Sequence, residues 1–259
     1  MESAIIAGTG IYDIPGFEFE KRVVDTRYGQ ALVNIGRRDG FELAFLARHG
    51  LDHTTPPHKI NFLANLKALQ QLGVRRILAT NAVGSISPEI PPTGLAVLSD
   101  FLDFTHGRTF TYYDGGKSGL AHTSMDAPYC PALSAAMLRL APQFELQPHT
   151  GAVYVATNGP RFETPAEIRA YARLGGDVVG MTGVPEVTLA RELNMHYAAL
   201  AYSINWAAGL SAKIEFVSGQ MADIRRRMTE LLVRVLQEPF EPTCSCENAL
   251  MVMHPAEES

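Results

Sequence analysis

Cysteine is scarce. Cys130, Cys244 and Cys246 are all that 259 residues hold, too few for a disulfide framework. No apolar run approaches the length of a bilayer span, and no cationic start leads into an apolar segment, so neither a membrane anchor nor a secretory leader is expected. Basic residues are outnumbered: 22 Lys and Arg face 27 Asp and Glu, and a net charge of −5 gives no electrostatic footing to a nucleic-acid surface. The expected compartment is reducing cytoplasm. A Walker loop is missing. Gly8-Thr9-Gly10 is not a dinucleotide fingerprint, because Asp13 stands where the third glycine belongs. No Ser/His/Asp or Cys/His motif has a recognisable nucleophile setting. No repeat or low-complexity linker divides the chain.

What is present is an alternation of short apolar runs and amphipathic stretches. Hydrophobic residues make up 46% of the chain, enough for a sizeable core. Buried strands are expected at Ala4–Ala7, Phe41–Ala47, Ile77–Ala79, Leu95–Leu102, Gly151–Ala156, Asp177–Gly180 and Tyr197–Ile204, the last apolar almost throughout. Helices are expected at Asn61–Leu72, with Gly73 past its end, and at Pro131–Pro142, Pro165–Leu174, Pro185–Leu193 and Ala222–Gln237. The fold class is α/β: a single domain on a mixed, twisted β-sheet flanked by helices. Its span is 1–238. Prolines and acids dominate from Glu238, so 239–259 is expected to be a loosely held C-terminal tail. There Cys244-Ser-Cys246 could be a strained disulfide or half a metal site. No partner pair has ligand spacing, so two ordinary thiols are the expectation. The Arg225–Arg227 triplet reads as a solvated helix face.

Chemistry gathers at strand ends. Gly8 and Thr9, Arg48 and His49, Asn81 and Ala82, and Thr182 are groups suited to an anion. Taken singly, the first is also an ordinary turn and Arg48 is also a surface ion pair. A second set, Phe162, Glu163, Met181 and Asn205, offers an aromatic ring, a carboxylate, a thioether and an amide, which suits a flat heterocycle with hydrogen-bonding edges. An anion beside a heterocycle points to a nucleoside plus inorganic phosphate. The segment Thr105–Asp126 is polar, aromatic and glycine-rich without a period; such a long loop serves function or a partner, and its His106 and His122 are each either solvated or functional.

Ala47-Arg-His-Gly50, His53, Asn61, Asn65, Asn81-Ala-Val-Gly-Ser85, Gly159-Pro-Arg-Phe-Glu-Thr164 and Met181-Thr-Gly-Val-Pro-Glu186 occur in order and with compatible spacing. As a set they resemble the signature of the trimeric purine nucleoside phosphorylase and methylthioadenosine phosphorylase family, over roughly residues 4–237. The resemblance implies a homotrimer of single-domain subunits that cleaves a nucleoside N-glycosidic bond with phosphate as co-substrate. It implies phosphate contacts at Thr9, Arg48, His49, Ala82 and Thr182, ribose contact at Met181, and a His122 that reaches the neighbouring subunit's pocket. Neither a metal nor an organic cofactor is implied. Catalytic work is expected of Asn205, Glu163 and His49, with Phe162, Glu163, Met181, Asn205 and His122 binding substrate. In methylthioadenosine phosphorylases two aspartates follow the last buried strand; here the positions hold Asn205 and Ala207, as in 6-oxopurine phosphorylases. Those enzymes place a His near the ribose 5′-hydroxyl, yet no His lies between Ala207 and Met253. Ile214, Phe216, Val217 and Met221 are offered instead, an apolar lining suited to a methylthio group. The combination resembles S-methyl-5′-thioinosine phosphorylases, ahead of inosine/guanosine phosphorylases and then methylthioadenosine phosphorylases. A nucleosidase or a silent nucleoside-binding protein would need no clamp such as Arg48-His49.

Overall fold

A computed structural model describes residues 1–253 except Leu51, His53, Gly116, Lys117, Ser218 and Gln220. His53 of the expected signature therefore lies outside the described residues. Among those described, the elements run in the order β1 (Ser3–Ala7), β2 (Glu18–Thr26), β3 (Gly29–Arg38), β4 (Phe41–Ala47), α1 (Phe62–Gln71), β5 (Arg76–Ser85), β6 (Leu95–Asp103), β7 (Leu120–Thr123), α2 (Pro131–Leu140), β8 (His149–Ala156), α3 (Pro165–Arg173), β9 (Val178–Gly180), α4 (Gly183–Glu192), β10 (His196–Trp206), α5 (Met221–Gln237) and β11 (Leu250–Met253). No described helix is long and apolar enough to cross a membrane.

The main sheet is mixed, in the order β10-β6-β8-β9-β5-β1-β4-β3-β2, and an extra β10–β5 pairing closes its first part on itself. β1 runs parallel to β4 and β5, and β5 parallel to β10. Their carboxyl ends therefore open on one edge, where ligands bind in such sheets. Apolar side chains on both faces make β1 and β10 central: every β1 residue is buried, and β10 is buried from His196 through Ser203. One face packs beneath α1 and α4, with Leu66, Leu69, Val187 and Leu189 in that core. The other packs beneath α2 and α5, with Leu133, Met137, Leu231 and Leu232.

Two differences from the sequence reading stand out. The β2–β3 hairpin was not expected. β2 reads Glu-Phe-Glu-Lys-Arg-Val-Val-Asp-Thr and is mostly exposed, so as an edge strand it needs no apolar run and its charges discourage further pairing. The tail, expected to be loosely held, is instead attached as far as Met253. β11 pairs antiparallel with β7, and Cys246 is buried against the α2/α5 core. Its apolar and sulfur-bearing residues outweigh the prolines that suggested looseness.

Candidate active site

The parallel strand ends and the segments after β8 and β9 enclose a cavity of about 500 Å³. Gly8, Thr9, His49, Ala82 and Thr182 line it, and so do Phe162, Glu163, Met181 and Asn205. The two expected sets thus share one pocket, with Arg48 and Asn81 of the first set standing behind its lining. Thr54 to Pro57 add a wall in which sequence reading saw only turn formers. Of the expected apolar lining, Ile214 and Phe216 face the cavity. Val217 and Met221 do not: both pack into the α2/α5 core.

The anion-suited end is built from backbone turns. Gly8 N–H donates to Thr80 Oγ1 at 3.2 Å, fixing the turn after β1. A Cβ on residue 8 would stand 3.1 Å from both Arg48 Nη1 and Thr80 O, so glycine lets three strands meet here. Tyr202 donates its hydroxyl to Thr9 O from β10. His49 Nδ1–H donates to Thr55 O at 2.8 Å, which orients the imidazole and ties it to the wall loop. Asn81 Nδ2 donates to Thr182 Oγ1 at 3.3 Å, and the N–H groups of Thr182 and Gly183 donate to Tyr154 Oη.

Arg48, expected to contact phosphate, stands just behind the cavity lining. It lies fully buried behind Gly8. Its Nε and Nη2 donate to Glu186 Oε2 and Oε1 at 2.8 and 2.6 Å, and its Nη1 donates to Thr80 O at 2.9 Å. Tyr197 adds a 2.8 Å hydrogen bond to the same carboxylate. An ion pair is formed, not at the surface but inside the protein and with a partner 138 residues away. The Glu186 carboxylate holds Arg48 protonated, while burial keeps the Tyr197 phenol neutral far above its ordinary range.

The heterocycle-suited end is set by a helix cap. Thr164 and Glu167 form a reciprocal capping box at the start of α3, and Arg161 pairs with Glu167, holding its carboxyl down at about 2. This anchors the two residues just upstream. Glu163, 8% exposed, accepts from Thr157 Oγ1 at 2.7 Å; its second oxygen has no protein donor among the described residues. Asn205, 4% exposed, donates from Nδ2 to Trp206 O at 2.7 Å. Phe162 and Phe216, about half exposed, stand at the rim with ring centroids 6.2 Å apart. Gly159 has φ +61°, and a Cβ there would fall 2.4 Å from Met181 Sδ, so glycine seats the methionine.

Arg108 was not singled out from the sequence. It sits in the long segment expected to serve function or a partner, and it acts within its own subunit. Its Nη1 donates to Val184 O, and its Nη2 donates to Asn158 O at 2.9 Å and Met181 O at 2.8 Å. One guanidinium therefore joins the loops after β8 and β9. His122 lies exposed on β7 and does not line its own chain's pocket.

The Phosphorylase superfamily family model matches residues 4–237. The 6-oxopurine nucleoside phosphorylase of Pyrococcus furiosus is 44% identical, covering 95% of this chain and 97% of its own. A probable S-methyl-5′-thioinosine phosphorylase of Methanopyrus kandleri is 45% identical over 96% and 97%. A solved methylthioadenosine phosphorylase from an antarctic soil metagenomic library superposes with a TM-score of 0.88 at 29% identity, over 98% of this chain and 93% of that one. With the α/β fold and the pocket at its strand ends, these matches establish that the chain belongs to the Phosphorylase superfamily.

Proposed function

We propose that this enzyme is a purine nucleoside phosphorylase whose substrate is a 6-oxopurine 5′-methylthionucleoside: S-methyl-5′-thioinosine plus phosphate gives hypoxanthine and 5-methylthioribose 1-phosphate. One observation carries the choice of substrate. A single cavity combines the Glu163–Asn205 pair with Ile214 and Phe216. A 6-oxopurine offers an N1–H donor and an O6 acceptor. Ionised Glu163 can only accept, so it takes N1–H and repels the unprotonated N1 of adenine. Asn205 donates to N7 or O6. The apolar pair suits a methylthio group, which needs no hydrogen bond.

The reaction follows from charge. As the bond from C1′ to N9 breaks, its electron pair leaves with the purine and the sugar becomes oxocarbenium-like. Phosphate held by Thr9, His49, Ala82 and Thr182 stabilises that cation and forms the new bond to C1′. Asn205 stabilises the departing base, which takes up, in net balance, the proton that hydrogen phosphate gives up on bonding to C1′. Arg48 positions the phosphate end from behind Gly8. Met181 packs against the ribose. The reaction needs no protein nucleophile and no organic cofactor. We place the enzyme in purine salvage in the cytoplasm, as a homotrimer in which His122 completes the adjacent subunit's site. Inosine or guanosine as the main substrate is the second reading, favoured by the equal similarity to 6-oxopurine nucleoside phosphorylases.

The test is base choice. Asn205→Asp should move activity toward 6-aminopurines, more so in combination with Glu163→Gln. If neither change alters the ratio of methylthioinosine to methylthioadenosine cleavage, these residues do not read the base.

A further inference from the structure

Cys130, His196, Cys244 and Cys246 come from three distant parts of the sequence and meet away from the nucleoside pocket. Their ligand atoms all lie within 4.8 Å of one another. Cys130 is the residue before α2, His196 opens β10, and the other two belong to the tail. Cys130, His196 and Cys246 are buried.

The separations discriminate between kinds of cluster. Cys130 Sγ is 3.7 Å from Cys244 Sγ, and His196 Nδ1 is 3.5 Å from Cys130 Sγ and 3.4 Å from Cys244 Sγ. A disulfide needs a sulfur separation of roughly 2.05 Å. A tetrahedral zinc ion with bonds of about 2.3 Å to sulfur and about 2.05 Å to nitrogen sets ligand atoms roughly 3.8 Å apart for two sulfurs and roughly 3.5 Å for sulfur and nitrogen. The three edges among Cys130, Cys244 and His196 match a face of that tetrahedron, and Cys246 lies within 4.8 Å of all three.

Two further features fit a metal. His196 turns Nδ1 toward the sulfurs, while its Nε2–H donates to Glu247 Oε1 at 3.3 Å. That is the carboxylate–histidine arrangement that fixes a ligating tautomer. Arg191, 1% exposed, has a single hydrogen bond, from Nη2 to Ser124 O; its Nε and Nη1 have no partner among the described residues. Ser124 in turn donates its N–H to Ala249 O, three residues beyond Cys246. A divalent ion with three thiolates and a neutral imidazole carries one net negative charge, a counter-ion for this buried guanidinium.

We propose that Cys130, His196, Cys244 and Cys246 form a closed, structural zinc site that staples the C-terminal tail to the body of the enzyme. Three thiolates and an imidazole suit zinc, and four protein ligands leave no open position for catalysis. The staple has a destination. Beyond it, Ala249 O accepts from Ser124 N, and β11 pairs with β7, setting Met251 opposite His122. Zinc would thereby hold the segment that carries His122. Spacing along the chain could not reveal the site, because only Cys244 and Cys246 are neighbours in sequence.

The experiment is metal analysis of the full chain, purified under reducing, chelator-free conditions. About one zinc per chain is expected, with a tetrahedral thiolate spectrum after exchange with cobalt(II). Cys130→Ser and Cys246→Ser should each drop zinc content below about half, since three ligands hold the ion weakly. Removing zinc with a chelator should lower Tm and speed hydrogen exchange in 120–124 and 250–253, and zinc chloride should restore both. Should a variant not fold, the wild-type stoichiometry and the zinc-dependent Tm still decide. A metal-free protein that takes up no added zinc overturns the proposal. So does a mass lighter by two hydrogens, which marks a disulfide, and so does iron in place of zinc.

Discussion

Replacing Arg48 by alanine separates two roles for this residue. A surface phosphate ligand could be lost with little effect on the unliganded fold. The structure gives Arg48 a buried partner: among the described residues, the change leaves the Glu186 carboxylate with only the Tyr197 hydroxyl, inside the protein. Breaking a buried pair from one side costs about 3–5 kcal/mol. At about 2–4 °C per kcal/mol for a chain of this size, Tm should fall by roughly 6–20 °C without phosphate. Glu186→Gln should cost a similar amount, because it leaves the guanidinium unpaired. Arg48→Met with Glu186→Leu should recover much of the loss, so that the coupling energy is at least about 3 kcal/mol. The assay is scanning calorimetry at one protein concentration, with and without phosphate, because ligands and self-association both shift Tm. A Tm for Arg48→Ala within about 2–4 °C of wild type, with only the phosphate-induced stabilisation lost, would refute the reasoning and restore the direct-ligand role.

Arg108→Ala removes a charged donor from four carbonyls, each such bond being worth about 1.5–3 kcal/mol at most; kcat/KM for the nucleoside should drop at least about tenfold while circular dichroism stays unchanged. Burial pushes the phenols of Tyr112, Tyr129, Tyr154 and Tyr197 up, and Tyr202 up to about 12. An acid whose folded pKa is raised contributes stability below its unfolded value and loses it above. Tm should therefore hold below pH of about 10 and fall between about 10 and 12, as tyrosinate absorbance rises; a flat Tm across that window would contradict it. His122→Ala should lower kcat/KM without changing sedimentation, and a fully active monomer would contradict the trimeric site.

The site was more legible than its support. β1 and β10 could be read because a strand buried on both faces is apolar at every position, and the polar residues that end such strands then mark the pocket. Thr9, His49, Ala82, Glu163, Thr182 and Asn205 were reached in this way. The partners that position them were not, because tertiary pairing leaves no local trace. Arg48 meets Glu186 across 138 residues, and Arg108 sits in a segment without a period. The exposed β2 lacks the run that announces a core strand, and the apolar run of β11 is only four residues long, in a tail whose prolines and acids suggested looseness. The cysteine cluster needs His196, which in sequence is only one more residue at the start of an apolar strand.

The central claim is phosphate-dependent cleavage of a 6-oxopurine 5′-methylthionucleoside. The direct measurement is purine release from methylthioinosine, inosine, guanosine and methylthioadenosine, each with and without phosphate. Release should require phosphate, and kcat/KM for methylthioinosine should exceed that for methylthioadenosine by at least roughly tenfold, about 1.4 kcal/mol of transition-state preference. Equal rates in phosphate-free buffer would make the enzyme a hydrolase, and equal cleavage of methylthioadenosine would contradict the assigned base.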